Sequence, residues 1–290
     1  MSLTERITAT LRPQLPLLMR RSVRIYLAPQ QVVAAAVEGD RIAGVAVLPV
    51  ANPAGHWEAP AAMLRALLER PADMLEANDA ANAIMTAITD QAPLSVTLSG
   101  RWCQFVMVPW SDALLAEPAA TRFLQMQLSA VYGDAARGWN IANDDAPYGQ
   151  PRAACGIDAE LLQALRMAVG KQGTIIEPVM GTASRMQTGM PAFAIVEQGK
   201  LTMATVTNGR IAALCSQPCG PAWQVELERA WQRWALRMPE LDGITTAAVI
   251  DLTCQPSPQP ALPPLFKLVD TPFGPAAALV PASMQEALCA

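Results

Sequence analysis

The chain comes close to repeating itself. Laid over each other at an offset of 169 positions, Val32–Val45 and Leu201–Leu214 share Ala35 with Ala204, Val37 with Val206, Arg41 with Arg210, Ile42 with Ile211 and Ala43 with Ala212. In the first copy these residues flank the turn "EGDR", and in the second they flank "TNGR". A Gly-containing turn between runs rich in Val, Ile and Ala predicts a β-hairpin in both places. Two such hairpins in one chain of 290 residues predict a duplicated fold.

The surroundings of each copy extend the match. Val23–Ala28, Gln31–Glu38 and Arg41–Leu48 read as an antiparallel three-stranded meander, and Ala192–Val196, Leu201–Thr207 and Arg210–Ser216 read as a second. After the first meander, "PAAMLRALLER" and "MLEANDAANAIMTAITDQ" place apolar residues at helical intervals, with Pro60 in a first turn. "LSVTLSG" and "CQFVMVPW" read as a strand pair ending at Pro109. A helix is expected over "EPAATRFLQMQLSAVYGD", with Glu117 and Pro118 at its start and Gly133 just past its end.

The turn-rich stretch Trp139–Gly149, "WNIANDDAPYG", marks the expected boundary between two lobes, residues 1–150 and 151–290. Beyond it, "RAACGI", a helix capped by Asp158, and "TIIEPV" predict a strand–helix–strand crossover. "GTASRMQTG" then leads into the second meander. A helix over "PAWQVELERAWQRWALRM" aligns Trp223, Leu227, Trp231, Trp234 and Met238 along one side, either as core or as rigid anchors for a partner. "TTAAVIDL" is a strand, "QPSPQPALPP" an extended linker or edge segment, and the remainder holds one further strand.

Composition narrows the function classes. The chain is 52% apolar and 16% charged with a net charge of −4, so it has no basic stripe to neutralise phosphates or bind a membrane surface. No apolar run approaches the roughly 18–20 residues of a spanning helix. Glu5, Pro13 and Pro16 interrupt the N-terminal segment, which reads as no signal peptide and places the chain in a reducing cytoplasm. His56, in "NPAGHWEAP", is the only histidine, and no G-x-S-x-G accompanies it, so a nucleophilic triad has no base. Neither a P-loop nor a G-x-G-x-x-G run is present. "CSQPC", Cys215 to Cys219, lacks a second pair at zinc-site spacing. Asp144 and Asp145 in "NDDAPYG" form either an Asx-rich turn or a cation loop. No metal or cofactor is expected.

Two halves that each carry a meander followed by helix and strand resemble the actin-like (ASKHA, ribonuclease H-like) ATPase superfamily. Within it, "SVRIYLAPQQVVAAAVEGDRIAGVAVL", "PLSVTLSGRWCQFVMVPWSDALLAEPAATRFLQMQLSAVYG", "RAACGIDAELLQALRMAVGKQGTIIEPV" and "PAFAIVEQGKLTMATVTNGRIAAL" are similar, in order and pattern, to the PilM-like and GspL-like proteins of type IV pili and type II secretion. The resemblance implies an α/β fold of two lobes around a cleft. It also implies a role as a cytoplasmic scaffold, held at the inner membrane by a PilN-like or GspM-like membrane protein and in reach of a motor ATPase.

Nucleotide-binding members carry an Asp-x-Gly turn in each meander, where backbone N–H groups cradle phosphate. Here the corresponding positions of the first meander are Tyr26 and Ala28, followed by Pro29, which has no N–H, and the later basic or hydroxyl position is Val33. The second meander keeps Glu197 and Gly199 in a turn short enough to be a plain hairpin. The expected consequence is a duplicated fold with a degenerate cleft and no catalysis. The alternative is a divergent ATP-binding or sugar-kinase-like enzyme using Glu197, Gly199 and Asp251.

Overall fold

The computed structural model describes residues 21–170, 174–186, 189–255 and 262–280. The N-terminal segment and most of the Pro-rich stretch therefore lie outside the described residues. The first meander is β1 (Arg21–Ala28), β2 (Gln31–Glu38) and β3 (Arg41–Pro49). Three helices follow: α1 (Glu58–Glu69), the single turn α2 (Pro71–Met74) and α3 (Asp79–Thr89), whose Asn78 cap accepts from the N–H of Ala81 at 2.8 Å. Then come β4 (Leu94–Leu98), β5 (Cys103–Val108) and α4 (Ala119–Tyr132), which stops at Gly133 with φ +66°. β6 (Trp139–Asn143), β7 (Arg152–Asp158), α5 (Ala159–Val169), β8 (Thr174–Pro178) and α6 (Val179–Met186) lead to the second meander. That meander is β9 (Ala192–Glu197), β10 (Lys200–Thr207) and β11 (Arg210–Pro218), followed by α7 (Trp223–Ala235), β12 (Ala247–Asp251) and β13 (Phe266–Val269).

The strands form two five-stranded sheets of matching order, β3-β2-β1-β4-β8 and β11-β10-β9-β12-β13. In each, the meander is antiparallel and its first strand pairs in parallel with the strand that follows the helices, β4 or β12. Each meander also carries a β-bulge in its outer pair. One lies between Ala36 and Val37 and the other between Thr205 and Val206, positions that the 169-residue offset superposes. The repeat in the sequence is thus a repeat of fold, irregularity included.

Alternation along β1 and β2 distributes side chains to opposite faces of the first sheet. Ile25, Leu27, Val32, Ala34 and Ala36 meet Leu64 and Leu67 of α1, Ile84 of α3 and Leu161 and Leu165 of α5 in the outer core. Tyr26, Ala28, Val33 and Ala35 face inward and pack with Phe193, Ile195, Ala204, Ala248 and Ile250 of the second sheet. A strand buried on both faces reads as an unbroken apolar run, and "VVAAAV" has that character. On the far side α7 covers the second sheet through Trp223, Leu227, Ala230, Trp231 and Trp234.

Three expectations from the sequence need correction. β4 and β5 are not a pair: β4 lies between β1 and β8, whereas β5 pairs antiparallel with β7 in a third sheet of order β5-β7-β6. The turn at Ser99–Trp102 carries the chain from one sheet to the other. Nor do β7 and β8 form a crossover unit, because β7 joins β5 and β6 while β8 extends the first sheet beyond β4. Finally, the first residues of the turn-rich stretch at 139–149 form β6, and strands after residue 150 complete sheets begun before it.

Candidate functional site at the seam between the sheets

The two five-stranded sheets meet along their inner faces, and the ends of β1 and β9 bring the residues of interest together. The hydroxyl of Tyr26 donates to Oε1 of Glu197 at 2.5 Å, with both residues buried. The N–H of Gly100 is shared between Oε1 and Oε2 of Glu197, at 3.0 Å each. A Cβ at position 100 would stand 2.6 Å from Oε2, so this turn needs glycine to approach the carboxylate. Lys200 closes the cluster by donating through Nζ to the carbonyl of Gly100. One buried carboxylate therefore ties together β1, the turn after β4 and the β9–β10 hairpin.

Burial is the main influence on the ionisable groups here. It raises the Tyr26 phenol well above its usual range, and the charge of Glu197 adds to the effect. Burial also lowers the Lys200 ammonium, against an opposing pull from Glu197. Beyond the cluster, Gln31 donates from Nε2 to the carbonyl of Leu252 at 3.2 Å and to Sγ of Cys254 at 2.9 Å. Asp251, at the end of β12, accepts from the N–H and the hydroxyl of Thr253 at 2.9 and 2.7 Å. Its carboxyl is pushed up by burial, which outweighs those two bonds.

A cavity of about 20 Å³, lined in part by Gly100, Cys103, Lys200, Thr202 and Ser216, is on the scale of a single water. Ala28 and Val33 lie within the apolar layer between the sheets, and Phe273 stacks beside Tyr26 at a centroid distance of 5.5 Å.

Among solved structures, the chain is similar to the cytoplasmic domain of EpsL, an inner-membrane component of the type II secretion system of Vibrio cholerae. That likeness covers 93% of this chain and 95% of the other, with a TM-score of 0.51 and 15% identity. It is also similar to the PilM–PilN type IV pilus biogenesis complex, over 89% of this chain and 96% of that one, with a TM-score of 0.55 and 9% identity. A Bacteroides thetaiotaomicron protein with an actin-like ATPase fold and unknown function matches over 80% and 81%, with a TM-score of 0.50 and 10% identity. The chain has the actin-like ATPase fold. No family model matches it, and no curated protein matches it in sequence.

In this actin-like frame the two meander turns differ sharply. The first, after Ala28, offers Pro29 and no N–H there, while the backbone of Pro29 accepts from Asn52 Nδ2 at 2.9 Å. The second is the two-residue turn Gln198–Gly199, with Gly199 at φ +76° and Arg101 beside it. Glu197 points away from that turn into the seam, where Tyr26 and Gly100 occupy it. Gly100 and Lys200 are the residues that reading the sequence missed. Their only signal was a glycine at the end of a strand run and a lysine one residue past a hairpin glycine.

The remaining candidates lie apart from this cluster. Trp223, Trp231 and Trp234 are buried in the outer core of the second sheet, and Trp231 meets Trp234 and Phe266 edge-on at 5.6 and 5.8 Å. The expectation that they anchor a partner does not fit this placement, since buried indoles have no face to offer. His56 is exposed in its loop. Asp144 extends the β6 ladder through its N–H to the carbonyl of Ala153, and burial raises its carboxyl. Burial and the neighbouring Glu226 push the Cys219 thiol up to about 12, which disfavours the thiolate that a metal requires. Among the described residues no three His, Cys, Asp or Glu side chains come together as a metal cluster. No described helix is long and apolar enough to cross a membrane.

Proposed function

We propose that this protein is a non-catalytic actin-like scaffold of a type IV pilus or type II secretion inner-membrane platform. In this reading it works in the cytoplasm and is held at the membrane by a PilN-like or GspM-like partner through that partner's cytoplasmic tail. A motor ATPase is a further contact of the same platform.

The observation that carries the reading is the occupied seam. The Gly100 N–H and the Tyr26 O–H, donors that could face an anion, are both taken by the Glu197 carboxylate. Val33 and Ala28 add apolar packing where a nucleotide-binding relative is expected to present polar groups. A nucleotide entering there must break a buried charge-assisted hydrogen bond and separate packed apolar surface, and both steps are costly. The likeness in fold to EpsL and PilM supports the choice of platform.

The test is isothermal titration with Mg-ATP and Mg-ADP, paired with thermal melting. A ligand that binds only the folded chain stabilises it by about 2.7 kcal/mol at a hundredfold excess over Kd. No heat and no shift are expected, together with co-purification of a single-span membrane protein encoded beside this chain. Heat with a rise in Tm would overturn the reading in favour of a nucleotide-binding enzyme or switch.

A further inference from the structure

The chain does not stay with the second sheet after β13. Residues 271–279 turn back to the seam and end against β3 of the first sheet. Thr271, Pro272, Phe273 and Gly274 are all buried. Phe273 lies in the apolar layer between the sheets, its ring centroid 5.5 Å from that of Tyr26 on β1. Gly274, at φ +123°, passes close to β3: a Cβ there would stand 3.4 Å from Cδ1 of Ile42 and 3.7 Å from Cγ2 of Val45. A 3-10 turn, Ala276–Leu279, then seats the buried Leu279 in the same layer.

Most hydrogen bonds of this segment are its own. The N–H of Thr271 donates to the carbonyl of Gly274 at 2.9 Å, and the N–H of Gly274 returns to the carbonyl of Thr271 at 3.1 Å. The Thr271 hydroxyl donates to the Gly274 carbonyl at 2.6 Å and accepts from the N–H of Phe273 at 3.1 Å. The N–H of Ala278 closes the next turn on the carbonyl of Pro275 at 2.8 Å. Among the described residues, one hydrogen bond joins 271–279 to the first sheet: Nη1 of Arg24 donates to the carbonyl of Pro272 at 2.9 Å.

A segment tied in this way can leave as a unit. Its internal bonds travel with it, so release breaks the Arg24 bond and uncovers Phe273 and Leu279 while both sheets keep their ladders. Segments with few outside ties open at a lower free energy than the whole fold. The Tyr26–Glu197 bond is separate from the segment and still joins the sheets when it leaves.

We propose that Thr271–Leu279 is a releasable strap across the seam. It opens while both sheets stay folded, and its release exposes Tyr26, Ile42 and Val45 on the inner side of the first sheet, which the closed strap covers. The strap thereby sets access to that apolar strip. This inference does not rest on the scaffold reading above.

The test is fluorine NMR of the whole chain carrying 4-fluorophenylalanine at its five phenylalanines, with single Phe→Leu variants to assign the signals. Relaxation dispersion and saturation transfer together follow exchange from microseconds to seconds. Phe273 is expected to exchange with a minor state at the solvent-exposed shift, while Phe193, buried in the same layer, does not. Arg24→Met keeps the stem and removes the crossing bond, and is expected to raise the minor population at Phe273 about tenfold without moving Phe193. Urea melts confirm that this variant remains folded. A Phe273 signal as static as that of Phe193 overturns the proposal. So does a minor state equally populated at both rings, which is opening of the whole fold, or an Arg24→Met chain whose minor population is unchanged.

Discussion

The phenol of Tyr26 and the carboxylate of Glu197, 171 positions apart in the chain, meet at 2.5 Å inside the seam between the two sheets. Each belongs to the first strand of its own meander, so the duplicated halves are joined through their corresponding strands. Tyr26→Phe removes one donor from a buried carboxylate that the Gly100 N–H also serves. The expected cost is about 1–3 kcal/mol, read as a lower urea midpoint at unchanged m. A midpoint equal to that of the wild type would show that the bond adds no net stability.

Gly100→Ala places a methyl group 2.6 Å from Oε2 of a carboxylate that Tyr26 holds in place. Overpacking of this kind costs about 1–3 kcal/mol. Glu197→Ala in the same chain removes the obstacle, so the double variant is expected to lose less stability than the sum of the single ones. A coupling of about 0.5–3 kcal/mol in the double-mutant cycle is the readout. Strict additivity would mean that the glycine is required by the backbone and not by the carboxylate.

Asp251 gives a pH-dependent prediction. Burial raises its carboxyl above the ordinary 3.8 despite the two bonds from Thr253. The folded chain therefore binds the proton more tightly than the unfolded chain does. The resulting stability is fully present below the unfolded pKa and is lost as pH rises through the folded one. Asp251→Asn keeps an oxygen for Thr253 and removes the charge. Its stability is expected to gain on the wild type as pH rises from about 3 to about 7, with the gap closing at the acid end. Urea midpoints across that range check it, and a gap that narrows toward neutrality would contradict burial as the leading cause.

Trp231 and Leu236 lie five positions apart, on and just past α7, and should respond in opposite ways. Trp231→Ala empties a buried site against Trp234 and Phe266, at an expected cost of about 3–5 kcal/mol. Leu236, 87% exposed, should tolerate Ser within about 0.5 kcal/mol. Thermal melts followed by tryptophan fluorescence distinguish the two. A Trp231→Ala chain that melts like the wild type would return that residue to the list of partner anchors.

Local sequence determined a good deal of this protein. The offset repeat fixed the duplication, and even the paired bulges fall at superposed positions, because a hairpin's turn residues and alternation specify its register over a few neighbours. The cap at Asp158 and the stop at Gly133 were equally legible, since each depends on one residue and the turn beside it. Tertiary structure alone decided which strands became neighbours. An apolar run such as "LSVTL" or "AACGI" states that a strand is buried and carries no record of the sheet that receives it, so β4 and β5 separated and β7 and β8 did too. The same limit hid the seam. In the sequence Glu197 is an acid two residues before a glycine, which is common turn chemistry. Folding brings Tyr26 and Gly100 to it, and only that long-range closure turned a turn residue into the tie between two lobes.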